Sequence, residues 1–415
     1  MTFRATFRAT PWSMAWRNVV RNRRRSLLTG GIVVFGFVSF ALAGGFMAQT
    51  FQGLRDNAVR GGLGHLQFAH ARSFDHSTDA TLEYALINTA GIKAVLAQDP
   101  QVAVVMPRLE FFGLITAGNR SLPFIGQGVD ALAEAQGSNI PASVHAGKWL
   151  TPGRKEVVIG RGLAQALDAQ VGDTLTLLAT SPAGTLNAVD AEVAGIADVM
   201  VKELSDRYLA TSLALAQELL DVSDVTTKIS VILREPVHET ETGTRLMRAL
   251  LPLSSDIAVK PWNELAVFYG QVKMLYIGIF GFMGVILMVV VFLSAINATL
   301  MTVTERTREI GTLRAMGARI TAIITNFVIE GSLLGIMASV VGTVLALVIT
   351  AILNASGIVL PPPPGSAYGF PIHVQWYPAS YLVAAVAMTA TLALASYFPA
   401  RRAARAPVVA SLAHV

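Results

Sequence analysis

TERTREIGTLRAMGARI, residues 304–320, places six charged side chains, Glu305, Arg306, Arg308, Glu309, Arg314 and Arg319, in the most hydrophobic part of the chain. Residues 274–304 on one side of it, and 331–400 beyond it on the other, hold no Asp, Glu, Lys or Arg. A helix needs roughly 20 mostly apolar residues to cross the hydrocarbon layer, so the segment reads as a polar connector between membrane spans. The composition agrees: over 415 residues, 53% are hydrophobic, 14% are charged and the mean hydropathy is +0.53, which does not describe a soluble surface. There is no cysteine, which excludes disulfides, thiolate metal sites and cysteine nucleophiles and leaves the redox compartment open.

Four transmembrane helices are predicted. The first occupies residues 26–50. The second, 266–303, contains an uncharged run that would measure about 45 Å as a helix, long enough to continue outward as a stalk. The third and fourth share one uncharged stretch, divided by NASGIVLPPPPGSAYGFPIHVQWYP. Consecutive prolines lack the N–H a helix requires, so the spans fall at 321–353 and 379–399 around a short Pro-rich loop at 354–378. Gly331, Gly335 and Ser339 recur every fourth position in the third span and offer a face for close helix packing.

Arginines set the orientation. Arg4, Arg8, Arg17, Arg21, Arg23, Arg24 and Arg25 precede the first span, and Arg401, Arg402 and Arg405 follow the last, with no acid beside either group. Positive flanks stay in the cytoplasm. Both termini and the 304–320 segment are therefore inside, with 400–415 a cytoplasmic tail, and residues 51–265 are outside. Residues 51–263 carry 17 basic and 23 acidic side chains, a net −6 in a chain of net +5, so the cytoplasmic and membrane parts hold the positive excess. FALAGG at 40–45 contains an A-x-A cleavage pattern, but the apolar core before it exceeds the 7–15 residues of a signal peptide. Within residues 1–25, PWSMAWRNVVRNRRR places Trp12 and Trp16 on one helical face and Arg17 and Arg21 opposite, an interfacial amphipathic helix with indoles at headgroup depth.

The external region reads as mixed α/β. HLQFAHA, EVVIG, DTLTLLA and KISVILR suggest strands, and GLAQAL, LALAQELL and ETGTRLMRALL suggest helices. His65, His70 and His76 with Asp75 and Asp79 lack metal-ligand spacing and read as a solvated surface. No catalytic serine motif, no H-E-x-x-H and no phosphate-binding G-x-x-x-x-G-K-[ST] occurs, so the chain is expected not to hydrolyse ATP itself and to hold no metal or cofactor.

In the connector, Ile310, Leu313, Met316 and Ile320 recur at spacings of three and four, a short amphipathic helix. Glu305 and Glu309 sit near its start, where they favour the dipole, and Gly317 reads as its stop. A solvated connector needs no apolar stripe, and two glutamates would oppose anionic lipid, so the stripe reads as a protein-docking face. Glu330, a lone acid at the inner end of the third span, reads as an interfacial residue that caps or pairs.

TVTERTREIGTLRAMGARITAIITNFVIEGSLLG (302–335) resembles the signature of the FtsX-like permeases, membrane subunits of mechanotransmission ABC transporters. AWRNVVRNRRRSLLT (15–29) and FPARRAARAPVVASL (398–412) resemble that family's entry to its first span and exit from its last, and VVIGRGLAQALDAQVGDTLTLL (157–178) is similar to its periplasmic core domain. The resemblance covers nearly the whole chain. Within the family, the layout and the PPPPG loop look closest to the lipoprotein-releasing LolC/LolE branch. MacB-type members carry a fused N-terminal ATPase domain, for which the roughly 25 residues before the first span are too few. The resemblance implies a multi-pass bacterial inner-membrane protein with its large domain in the periplasm.

It also implies partners. Two ABC ATPase subunits would bind ATP and Mg, a second permease copy or related chain would complete the membrane part, and a periplasmic lipoprotein carrier and membrane lipids would take part; nucleic acid would not. The coupling helix would use Glu305, Arg306, Arg308, Glu309, Ile310, Gly311, Leu313, Arg314, Met316 and Gly317. Glu330 matches the family's EG position. Extraction of lipoproteins or other lipidated or amphiphilic substrates is the expected activity. Signalling or regulation, efflux of small molecules or peptides, and a membrane-anchored enzyme are the alternatives.

Overall fold

A computed structural model describes residues 23–74, 82–199, 202–254, 256–360 and 370–408. Trp12, Trp16, Arg17, Arg21 and the PPPPG run lie outside the described residues, as do His76, Asp75 and Asp79. The chain divides into two compact units, one of Met1–Phe51, Lys273–Ile358 and Pro371–Val415, the other of Gln52–Val272 and Val359–Phe370.

The first unit is helical. Among the described residues, four helices are long and apolar enough to cross a membrane. They are α1 (Arg23–Ala58) and, later in the chain, α9 (Val267–Glu305), α11 (Ile320–Ala355) and α12 (Pro378–Ala404). All four helices run past the predicted spans: α1 continues eight residues past position 50, α9 reaches Glu305, α11 reaches Ala355 and α12 reaches Ala404. Lipid tails are as apolar as leucine, so helices associate in a membrane through close approach and not through burial from water. The interior shows that chemistry. One buried cluster joins Val33, Phe37, Val38, Val291, Tyr381, Met388 and Leu392 with Ala41, Ala295, Ala338, Ala346, Ala384 and Ala395, so small alanines stand among the larger side chains and let the helices close up.

The second unit is a twisted sheet with helices against it. Its strands before α9 are β1 (Leu66–His70), β2 (Leu86–Ile87), β3 (Val102–Ala117), β4 (Arg120–Val129), β5 (Val144–Gly147), β6 (Glu156–Gly160), β7 (Thr174–Thr180), β8 (Leu186–Ala197), β9 (Tyr208–Ser212), β10 (Val225–Thr226), β11 (Lys228–Leu233) and β12 (Ile257–Pro261); a short pair, β13 (Val359–Leu360) and β14 (Phe370–Pro371), follows α11. Ten of them form one sheet in the order β12-β1-β11-β3-β4-β9-β6-β8-β5, with β7 pairing β3 and β8. β4 and β9 run parallel, as do β6 and β8; the other pairs are antiparallel. The helices are α2 (Thr89–Ala97), α3 (Ala131–Gly137), α4 (Arg161–Leu167), α5 (Lys202–Ser205), α6 (Leu213–Leu220), α7 (Glu239–Leu250) and the single turn α8 (Trp262–Leu265).

The four strand motifs read from the sequence correspond to β1, β6, β7 and β11, and the three helix motifs to α4, α6 and α7. The long β3–β4 hairpin carried no clean alternation, because residues on both its faces are covered along much of its length. Leu109, Phe111, Ile115 and Phe124 from this hairpin join Val157, Ile159, Leu163, Leu175, Leu177, Leu209 and Leu219 in the main core. Side chains of this kind contribute about 1.5–3 kcal/mol each when fully buried.

Candidate functional site

Local backbone geometry cuts the 304–320 segment shorter than predicted. Arg306 leaves the helical region (φ −104°, ψ 12°), which ends α9 and starts α10 (Thr307–Ala315). At the other end Gly317 has φ +89°, and the Ala318 N–H donates to the Leu313 carbonyl while the Gly317 N–H donates to that of Arg314, each at 3.0 Å. That is the glycine-terminated Schellman arrangement, which satisfies the last carbonyls of a helix.

The structure splits the apolar stripe. Ile310 is 5% exposed and packs with Val303, Ile323, Phe327, Ala400 and Ala404; Gly311 is also buried. Leu313 and Met316 are 45% and 71% exposed. Ile310 and Met316 lie about 120° apart around a helix of 3.6 residues per turn. The neighbouring helices cover only the Ile310 edge, so Ile310 and Gly311 belong to the interior and not to an outward docking face.

The charges divide in the same way. Arg306 bridges the Glu309 carboxylate at 3.2 Å and the Glu330 carboxylate on α11 at 3.5 Å. Arg314 donates through Nη1 to the Ala406 carbonyl just beyond α12, at 2.6 Å. These two arginines anchor α10 to its own membrane unit. Glu305, Arg308, Glu309, Leu313, Met316 and Gly317 face outward and are exposed. Together they make a small surface with both signs of charge around two apolar side chains.

Glu330 also lines a crevice of about 60 Å³ with Thr29, Thr299, Thr302, Gly331 and Ser396 among its walls. Gly331 and Gly335 bring α11 close to α12: a Cβ on Gly331 would lie 2.3 Å from Ser396 Oγ, and one on Gly335 2.8 Å from Thr389 Cα. Ser339 is buried one turn further on, its hydroxyl donating to the Gly335 carbonyl at 2.8 Å.

In the external unit the histidine reading needs correction. His65 is half-buried, and its Nδ1 accepts the Leu233 N–H at 3.1 Å. Burial, aided by the nearby positive charges of Arg55 and Arg60, lowers its pKa from the ordinary value to about 4. It is a neutral structural acceptor, not part of a solvated surface. Among the described residues no group of three or more His, Asp or Glu is placed to hold a metal. Sequence reasoning also missed an ion pair between Arg108 and Glu134, each 1% exposed. The available signal was a cation, Arg108, inside the largely apolar run VAVVMPRLEFFGLITA, in which Glu110 is the only other charge.

Four membrane helices, a short polar helix between the second and third, and an α/β domain inserted between the first two define a multi-pass membrane protein with one large extracytoplasmic domain. The family described as MacB-like periplasmic core domain matches residues 26–249, and that described as FtsX-like permease C-terminal matches residues 281–408. The chain belongs to this FtsX/MacB family of ABC transporter permeases and is an inner-membrane protein with its soluble domain in the periplasm.

Similar proteins include the lipoprotein-releasing system transmembrane protein LolC of Xylella fastidiosa, 26% identical over 268 residues, or 62% of this chain and 63% of that one. LolE of Haemophilus influenzae is 23% identical over 419 residues, covering 95% of this chain and 97% of its own. The macrolide export ATP-binding/permease protein MacB of Shigella sonnei is 38% identical over 129 residues, 31% of this chain and 18% of that one. Against LolC the match thus spans somewhat under two thirds of the relative's length. Among solved structures, the periplasmic region of MacB from Actinobacillus actinomycetemcomitans aligns with a TM-score of 0.39 and 14% identity, covering 52% of this chain and 96% of that one.

Proposed function

We propose that this chain is the permease subunit that couples ATP hydrolysis on a separate ATPase subunit to movement of its periplasmic domain, and that the work done is extraction of lipoproteins or other lipidated substrates from the inner membrane. The observation that carries the reading is the two-sided α10. Its inner edge is fastened to the membrane unit through Ile310, Arg306 and Arg314, while Arg308, Leu313 and Met316 stand free of it. A helix fixed on one edge and exposed on the other can pass a push from a docked partner to the spans it joins. Two ATPase copies binding MgATP, a second permease chain and a periplasmic carrier complete the proposed assembly. The near full-length similarity to LolE supports lipoproteins as cargo.

Export of small molecules is the second reading, favoured by the higher identity to MacB over 129 residues. A single preparation tests both. The chain is purified from native membranes in mild detergent with and without Arg308→Glu and Met316→Asp, and the co-purifying ATPase and lipidated species are identified. Each substitution is expected to cut ATPase recovery about tenfold, the loss of roughly 1.4 kcal/mol of docking energy, without unfolding the chain. Unchanged recovery would refute the docking role. Wild-type complex that retains no lipoprotein, yet protects cells from an exported compound, would replace the first cargo with the second.

A further inference from the structure

The last turns of α1 enter the periplasmic unit through a wide helical turn, Val59–Leu63, whose shape depends on one side chain of the central sheet. Gly62 has φ +140°, and a Cβ there would lie 2.4 Å from Arg108 Nη1; only glycine fits this backbone beside that guanidinium. Arg108, on β3, donates through Nη1 to the Gly62 carbonyl at 2.6 Å. The same carbonyl accepts the Ser230 hydroxyl of the adjacent strand β11 at 2.8 Å. The other face of the guanidinium is held by Glu134 of α3, through Nε at 2.6 Å and Nη2 at 2.8 Å.

Further contacts fix the same turn. The Asn139 N–H donates to the Arg60 carbonyl at 2.9 Å. Val59 is buried with Met106, Ile232 and Trp262. Trp262 lies one turn before α9, stacks edge-on with Tyr269 of that helix and receives the Arg55 guanidinium over its ring. The end of α1, the beginning of α9 and strands β3 and β11 therefore meet around one buried cluster.

A buried ion pair adds little net stability over an apolar pair of similar size, because desolvation offsets the attraction. What it supplies is direction: the planar guanidinium has a fixed fork, and here all three of its nitrogens are committed. We propose that Arg108 and Glu134 form a transmission clamp, which makes the end of α1 and the central sheet move as one rigid body. Displacement of the helix at residues 52–58 then reaches β3 without being absorbed in the turn at 59–63. This inference rests on the coupling role proposed above for the direction of the work, while the rigidity of the clamp stands on the geometry alone.

The chain has no cysteine of its own, so cysteines introduced at the exposed positions Asn57 and Thr185 give one spin-label pair spanning α1 and the β7–β8 turn. Pulsed dipolar spectroscopy on the full chain in lipid nanodiscs should give a narrow distance distribution. Arg108→Lys, whose single ammonium cannot hold both Glu134 and the Gly62 carbonyl in the fork geometry, should broaden it at least twofold. The neutral pair R108M/E134L, similar in volume, should do the same. In the assembled complex both variants should still hydrolyse ATP but release about fivefold less cargo per ATP, the lower end of usual coupling strengths.

A distribution as narrow as wild type in both variants would overturn the clamp, as would unchanged release per ATP. Failure of both variants to assemble would also overturn it, since the pair would then be a folding requirement. The distance measurement needs neither ATPase nor cargo. If the wild-type complex releases no lipoprotein, the proposed function fails while the clamp is still read from the width.

Discussion

The two units each use an arginine–glutamate contact at a helix end, and they use it in opposite ways. In the periplasmic unit Arg108 and Glu134 are sealed in the interior, with a two-point contact at 2.6 and 2.8 Å. In the membrane unit Arg306 reaches Glu330 at 3.5 Å, with about a fifth of each side chain exposed. A soluble domain has a large apolar core to carry it, so it tolerates a desolvated charge where fixed geometry is useful. A four-helix membrane unit has no hydrophobic drive between its helices; glycines such as Gly44, Gly331, Gly335 and Gly342 let its helices approach closely, and its charges stay near the ends.

The comparison breaks first at the carboxylates. Glu134→Ala leaves Arg108 buried without its partner and is expected to destabilise the periplasmic unit by about 3–5 kcal/mol, read as accelerated hydrogen exchange across β3 and β11 in the full chain. Glu330→Gln, at the partly solvated pair, should cost about 1 kcal/mol or less. Equal effects would mean that burial does not separate the two sites.

Helix packing gives the next effect. Gly335→Leu forces a side chain into the Thr389 backbone and should cost about 1–3 kcal/mol, seen as a lower aggregation temperature in detergent with the exchange pattern of the sheet unchanged. A variant as stable as wild type would show that α11 and α12 can separate freely there.

The smallest effect sharpens the account of the periplasmic unit. His65 has a folded pKa of about 4, below its ordinary value of 6.5. The unfolded chain therefore binds the extra proton first as pH falls. The contribution is complete above pH 6.5 and is lost progressively toward pH 4. Discounted for partial solvent screening, it amounts to about 1 kcal/mol. His65→Asn should flatten the fall in thermal midpoint between those pH values by that amount; an identical slope would show that the ring is not kept neutral.

Much of the plan was legible because lipid imposes a strict requirement on length and polarity. Uncharged runs, the arginine flanks and the change from net negative to net positive mark the spans, their orientation and the external domain. Alternation or β-branched content located β1, β6, β7 and β11, and the 3.6-residue period located α4, α6 and α7; β7 alternates between covered and open positions, whereas all of β6 is buried and was found from its β-rich composition. Sequence spacing also placed Ile310, Leu313 and Met316 on one broad face of α10. It could not say that Ile310 turns inward, because periodicity gives the angle of a side chain about its own helix and not which neighbours stand at that angle.

Local chemistry thus marked which helices are apolar enough to cross the membrane, that the large domain lies outside, and that a short helix stops at Gly317, because these depend on residues near in sequence or on the solvent around them. Tertiary structure alone decided that Arg306 pairs with Glu330, that His65 is a neutral acceptor, and that Arg108 meets Glu134 and the Gly62 carbonyl, which also accepts from Ser230. Those partners lie from 24 to 168 positions away, and only the folded sheet and packed helices bring them within hydrogen-bond distance.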